Sequence, residues 1–295
     1  MKTFRGSVAL LGLFIVASCR SERPAAGHES TAVVAPAPPE SAATPGTAWD
    51  PAVGPILLVA TDSPTRAFVL RPHGTDQTPL MTIPHPASVT LFSRSGSVQT
   101  ADLPAAPDTS ACSVATLEAA PPPRPWSVGF IGGVVAPVPV DSTESLAPKD
   151  SAAMVTWLNR MASGLPNDSA GRFVGLPFVV RNIWRFTLPD GRQILVGTLM
   201  RQINQEATPL QERTFLIGER PPRDSGFVRA YSERSSGDEE TVASTDLVAA
   251  LLLGDSRRAT IVVARDFGNA TGFGLIERTD AGQWQALWSS PRRQC

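Results

Sequence analysis

Carboxylates are the residues that this sequence places best for chemistry. Glu206 and Glu212 flank Pro209 in the run Asn204-Gln205-Glu206-Ala207-Thr208-Pro209-Leu210-Gln211-Glu212-Arg213. Two strands meeting at such a run can bring two carboxyl groups together, and glycosidase-type hydrolysis needs a paired acid and base. Asp238-Glu239-Glu240 is a second acidic cluster. Plainer readings stand beside these. Glu212 and Arg213 read as a solvated or cross-strand charge pair, and the acidic triplet as a turn before a strand. Asn204 to Glu206 reads as a loop fixed by side-chain hydrogen bonds. Serine chemistry is poorly served. The chain has no G-x-S-x-G, and its three histidines are His28, His73 and His85, all in the first third. A triad needs a base beside its serine. Three Cys without a C-x-x-C, and so few His, give no zinc spacing. No G-x-x-x-x-G-K-[ST] and no strand-linked G-x-G-x-x-G is present, so neither a metal nor a nucleotide cofactor is expected.

The elements that would position these groups are mostly strands. Short apolar runs at 56–60, 67–71, 89–92, 98–103, 112–117 and 127–135 alternate with Pro- and Gly-rich breaks, which suit edges, bulges and loops. One helix stands out near 150–163. Met154, Trp157, Leu158 and Met161 fall at i, i+3, i+4 and i+7 and make one apolar stripe. Asp150 is the expected N-cap and Gly164 the stop, with Pro166 just beyond. That stripe reads as a core face. Residues 178–188 and 194–203, joined through Pro189-Asp190-Gly191-Arg192, make a hairpin with Asp-Gly in the turn. Within it Trp184, Phe186 and Leu188 share a face, while Arg185 and Thr187 point away. Strands are also expected at 213–219 and 226–232. Runs at 247–253, 260–265, 271–278 and 283–288 form an antiparallel meander of four strands.

Gly254-Asp255-Ser256-Arg257-Arg258 lies between two runs of that meander. It resembles the position where FG-GAP or VCBS-type propeller repeats carry an acidic calcium loop. Only Asp255 of the acidic positions is kept, so the resemblance implies a blade-like meander and no metal; a propeller would need several such blades. Gly254-Asp255-Ser256 also resembles the nucleophile block of GDS-type esterases. That family places the block near its N-terminus with a His far downstream, and no His follows it here.

The beginning of the chain carries a different signal. Lys2 and Arg5 precede an apolar run from Val8 to Ala17, closed by Val16-Ala17-Ser18-Cys19. A positive flank, a short apolar core and small residues before the cut form the pattern of a secretory signal peptide. The run is short for a membrane span. Val16 to Cys19 resembles a bacterial lipobox. The resemblance implies cleavage before Cys19, lipidation of its sulfur and anchoring in the cell envelope. Arg20 is not the Asp that, in double-membraned bacteria, resembles an inner-membrane retention signal; this implies the outer membrane, facing the periplasm or the surface. From Arg20 to Ala52 the chain holds six prolines, many Ala and Ser, and no bulky aromatic before Trp49. Such a segment buries too little to offset its ordering entropy and reads as a disordered tether.

Charge and cysteines narrow the partners. The precursor carries a formal −1, and loss of residues 1–18 removes two cations and no acid, giving −3. A nearly neutral chain offers no basic face for nucleic acid and no polybasic patch for a membrane, so attachment falls to the lipid. With Cys19 lipidated, Cys112 and Cys295 remain. In an oxidising compartment they read as a disulfide worth about 4–5 kcal/mol in the chain-entropy model, or else as two separate thiols.

The expected fold is thus mainly β (α+β), with antiparallel hairpins, a C-terminal four-strand meander and one amphipathic helix. The expected organisation is a signal peptide at 1–18 and a lipidated Cys with its tether at 19–52. An N-terminal β region at 53–140 and a helix plus antiparallel β region at 141–295 follow. The expected role is that of an exported lipoprotein, held to the membrane through Cys19, with a non-enzymatic binding or structural function toward an envelope protein or glycan. The alternative is an envelope hydrolase using Glu206 and Glu212.

Overall fold

Short apolar runs broken by turn residues become sixteen strands and one helix among the described residues. The computed structural model describes residues 56–70, 86–105, 107–108, 114–142, 145–166, 171–204 and 209–294. All of these fall in one unit, Ala42–Cys295. Cys19, Cys112, Cys295, Glu206, His28, His73, His85 and the expected tether lie outside the described residues.

The first six strands are β1 (Ile56–Ala60), β2 (Arg66–Leu70), β3 (Ala87–Phe92), β4 (Val98–Leu103), β5 (Val114–Thr116) and β6 (Val128–Ile131). They pair antiparallel in the order β4-β3-β6-β1-β2-β5. The two outer members meet. Asp102 in β4 and Glu118 just past β5 exchange backbone hydrogen bonds of 2.7 and 2.8 Å. The sheet therefore closes on itself, which leaves neither outer strand as an open edge. Alternate residues fill its interior: Leu58, Val69, Val89, Leu91, Leu103 and Leu117 are all buried. The intervening residues Leu57, Val59, Phe92, Val128 and Phe130 face outward and form a second apolar surface.

Two five-stranded sheets follow. β7 (Val135–Val138) and β8 (Asp141–Ser142) are short strands separated by a corner, which carries the chain from one sheet to the other. β9 (Val179–Thr187), β10 (Gln193–Ile203), β11 (Leu210–Arg220) and β12 (Val228–Asp238) extend β8 into the order β12-β11-β10-β9-β8. β13 (Ser244–Leu253), β14 (Arg258–Asp266), β15 (Thr271–Arg278) and β16 (Trp284–Ser289) form the expected meander, and β7 adds a fifth strand beside β13. The Asp190-Gly191 hairpin is present, with Gly191 at φ +82°, a backbone conformation glycine adopts without strain.

The meander sheet is the middle layer. Ala249, Leu251, Leu253, Val262 and Leu275 pack on the outer face of the closed sheet. Leu247, Ala250, Leu252, Ile261, Val263 and Ile276 pack on Trp184, Phe186, Val196, Phe215 and Ile217 of the β9–β11 sheet. A sheet covered on both faces has no polar side to alternate with, which is why β13 reads Leu-Val-Ala-Ala-Leu-Leu-Leu.

The helix α1 (Pro148–Ser163) covers the far face of the β9–β12 sheet, with Met154, Leu158, Met161 and Ala162 buried against Ile183, Leu195, Leu199, Leu216 and Phe227. Its start differs from the sequence expectation. Ala147, in an extended conformation, is the N-cap, Pro148 opens the first turn, and Asp150 sits inside that turn. Proline at the start needs no N–H partner and presets φ, while an acid in the first turn suits the helix dipole without capping it. The helix approaches β10 closely. A Cβ placed on Gly197 would stand 2.6 Å from both terminal carbons of Leu158, so any larger residue here would have to displace that buried side chain.

That contact is testable. Gly197→Ala should destabilise the protein by about 1–3 kcal/mol through overpacking, and Leu158→Ala by about 2–5 kcal/mol through cavity formation. In the double variant the new methyl occupies space that Leu158 vacated, so the combined loss should be smaller than the sum. Urea denaturation of the four proteins measures this coupling; strict additivity would disprove the contact.

Candidate functional site

The β9–β12 sheet and the meander sheet pack through apolar side chains along their middle. Toward one end of the sandwich the lining turns polar and a cleft of about 280 Å³ opens. β10 and β11 contribute Thr198, Met200, Gln211, Arg213 and Phe215. β12 and the turn after it contribute Glu233, Ser235 and Glu239. β13 contributes Ser244, Thr245 and Asp246, and β9 contributes Arg181 and Asn182.

The presence of Arg181 follows from a break in register. Asn182 is the partner of Thr198, but Leu199 pairs with Val180, so Arg181 is an extra residue in β9. Such a bulge bends the strand and reverses the alternation beyond it. Trp184 and Asn182 face the meander sheet, yet Val180 packs with the helix-side cluster. Arg181 is thereby turned to the cleft beside Asn182. The Asn182 amide donates to Asp246 Oδ1 at 3.1 Å across the gap between the sheets.

Glu233 joins the two sheets at this end. Arg265 of β14 donates to it through Nε and Nη2 at 2.9 and 2.8 Å, and the hydroxyls of Tyr231 and Thr245 donate at 3.2 Å. Burial alone would raise the Glu233 pKa. The Arg265 guanidinium and the two hydroxyls outweigh burial and hold the carboxyl below the usual range. Burial, then the adjacent Glu233 carboxylate, push the Tyr231 phenol up. At the opposite end of the sandwich, Glu219 makes the corresponding clamp. It accepts from Arg278 Nε and Nη2 at 2.9 and 2.8 Å, from Arg192 at 2.8 Å and from the Trp284 indole N–H at 3.2 Å. Here too burial works against ionisation, and Arg278, Trp284 and Arg192 together prevail and lower the pKa.

Of the two carboxylates singled out in the sequence, Glu206 lies outside the described residues. Glu212 is completely buried on the helix-facing side of β11. Its Oε1 accepts from Arg201 Nε and Nη2 at 2.9 and 2.7 Å, and Arg234 Nε stands 3.7 Å from Oε2. Arg201 also donates to the Phe173 carbonyl at 2.8 Å and lies 4.4 Å from the centre of the Phe178 ring. The expected Glu212–Arg213 pair is replaced by this cross-strand one. Successive strand residues point to opposite faces, so Glu212 meets Arg201 on the face away from the cleft, while Gln211 and Arg213 face the cleft. The triplet Asp238-Glu239-Glu240 ends β12 and enters a turn, as expected, with the amides of Thr241 and Val242 donating to the Asp238 carbonyl.

Arg181, Asn182, Thr198, Glu233 and Thr245 were not singled out by the sequence. One signal pointed to the first two: in Val179-Val180-Arg181-Asn182-Ile183-Trp184 the apolar and polar residues come in pairs, which a regular half-buried strand does not show. Chemically, the clamped carboxylates stay ionised and bonded, which suits holding two sheets together. The cleft beside them offers donors, acceptors and both signs of charge, which suits recognition. Among the described residues no group of three or more His, Cys, Asp or Glu is gathered to hold a metal ion.

The clamps make stability depend on acid. Both carboxyls titrate below their ordinary value of 4.5 when folded, so the unfolded chain takes up protons first as the pH falls. The urea midpoint should therefore hold steady above about pH 5 and fall as the solution passes through and below the carboxylate range. The double variant Glu219→Gln, Glu233→Gln should show a flatter acid limb. Arg278→Met, which leaves Glu219 enclosed with one cation fewer, should cost about 3 kcal/mol at neutral pH.

Comparison of the chain with family models, with curated proteins and with solved structures returns no match.

Proposed function

We propose that this chain is an exported lipoprotein of the bacterial cell envelope, with a non-enzymatic binding or structural role. In this reading Cys19 becomes the lipidated first residue of the mature chain, residues 20–52 form its tether, and the folded unit presents the inter-sheet cleft as its recognition surface. The observation that carries the proposal is the order of residues at the start: positive flank, short apolar core and Val-Ala-Ser-Cys. The lipid supplies attachment that a nearly neutral surface does not. Arg20 after the lipidated Cys favours the outer membrane.

The folded unit supports a binding role in its own way. Glu212, Glu219 and Glu233 are each paired with an arginine, an arrangement that suits carboxylates serving the fold. A hydrolase built on Glu212 would have to expose a side chain that lies sealed between β11 and its neighbours.

The mass of the mature protein, taken from its native envelope and digested without reduction, tests this reading. The expected result is an N-terminal Cys19 carrying a diacylglyceryl group and a Cys112–Cys295 linked peptide. Cys19→Ala should move the protein out of the membrane fraction. An unmodified N-terminus downstream of Cys19 would overturn the anchor and favour a freely secreted, diffusing protein.

A further inference from the structure

We propose that the cleft between the β9–β12 sheet and the meander sheet binds a small zwitterion, the carboxylate and ammonium of an amino acid or short peptide. This rests on the reading of that cleft as a recognition surface and names the ligand it takes.

Charge is the first ground. Arg181, Arg213, Glu233, Glu239 and Asp246 line the cleft. Glu233 is matched by Arg265. Two guanidinium groups and two carboxylates remain, and among the described residues none of these four belongs to an ion pair. Arg213 is steadied by Nε donation to Gln211 at 3.1 Å, and Asp246 by the Asn182 amide. A simple anion would be drawn to the arginines and repelled by Glu239 and Asp246; a simple cation would meet the reverse. A molecule carrying both charges satisfies both walls.

The build of the site is the second ground. The bulge in β9 spends one residue of regular pairing to direct Arg181 into the cleft, a device common beside binding sites. Thr198 Oγ1, on the cleft lining next to that bulge, is buried and has no hydrogen-bond partner in the protein. Among the described residues Thr214 Oγ1 is the other buried hydroxyl left so; a turn of the Thr198 side chain would let a ligand carboxylate in the cleft accept from its hydroxyl. Met200 and Phe215 give apolar contact for a ligand's carbon atoms. The volume of about 280 Å³ lies at the lower end of ligand pockets, roughly 300–1,000 Å³, which selects a small molecule.

The test is calorimetric titration of the full mature chain in detergent micelles with diglycine, alanine, N-acetyl-diglycine and diglycine amide. Saturable one-to-one binding of diglycine or alanine is expected, and whichever binds more tightly tells a peptide from a free amino acid. Blocking either terminus should weaken binding about tenfold or more, the loss of one charged contact. Arg181→Met, at an exposed bulge position, should weaken it similarly with no change in Tm. Thr198→Val should weaken it while leaving the fold as stable or more so, a split that a merely structural hydroxyl would not show. Equal binding of the N-acetyl form would overturn the proposal in favour of a plain anion site. Absence of saturable heat with both zwitterions would overturn it outright, while the lipid on Cys19, measured separately, would still decide the envelope reading.

Discussion

Burial of both faces of one antiparallel sheet is the constraint on which this structure depends. β13, β14 and β15 sit between the closed six-stranded sheet and the β9–β12 sheet, and each face supplies roughly half of an apolar interface. Fully burying a large aliphatic side chain contributes about 1.5–3 kcal/mol. A strand such as β13, with Leu247, Leu251, Leu252 and Leu253 all buried, therefore stabilises two layers at once. The same strand anchors β7, whose continuation into β8 passes the chain from the middle sheet to the outer one. The side chain of Arg94 adds a polar tie: it donates to the carbonyls of Leu247 and Val248, where β13 itself is bulged, and so fixes the β3–β4 turn of the closed sheet to the middle layer.

An apolar sandwich of this kind must still end somewhere, and its ends are where polar groups enter. At both ends a glutamate from the outer sheet receives a two-pronged arginine from the meander sheet: Glu219 with Arg278, and Glu233 with Arg265. Two parallel N–H donors fix direction as well as distance, so the clamps set how the two sheets lie across one another. The two ends are not equivalent. Glu219 is closed in by Arg192 and the Trp284 indole, whereas Glu233 borders an open cleft lined by charged and polar residues together with Met200 and Phe215. A rigid clamp beside an open polar cleft is a suitable setting for recognition, because the side chains that meet a ligand are carried by strands that cannot drift apart.

Much of the architecture was legible in the sequence because it rests on local periodicity. The hairpin face at 178–188 and the helix were marked by patterns of two and of three and four residues, the four-strand meander by short apolar runs, and turn residues such as Asp190-Gly191 set their limits. What was not legible depends on chain segments far apart. Closure of the first sheet needs Asp102 and Glu118 to meet, and nothing local announces that. That the meander would be covered on both faces was hidden as well, because this depends on the two sheets that pack on it. The helix cap lies three residues earlier than expected for a different reason: Pro148 is a good first residue without resembling a cap.

The candidate site shows the same division more sharply. The sequence marked Glu212 and Arg213 as a charged pair at the edge of a strand, but the face that each would take could not be read. Alternation sends Glu212 one way and its two neighbours the other, and only the partner sheets decide which side is sealed. Glu212 went to the face away from the cleft, where it pairs with Arg201, itself held against the rings of Phe173 and Phe178. Arg181 went the other way because one residue was added to β9. Plain alternation thus places the charge of β11, and a single bulge places that of β9. For this fold, the chemistry of the cleft follows strand register, and loss of the bulge in β9 would put Val180 where Arg181 now meets the cleft without altering the composition of the chain.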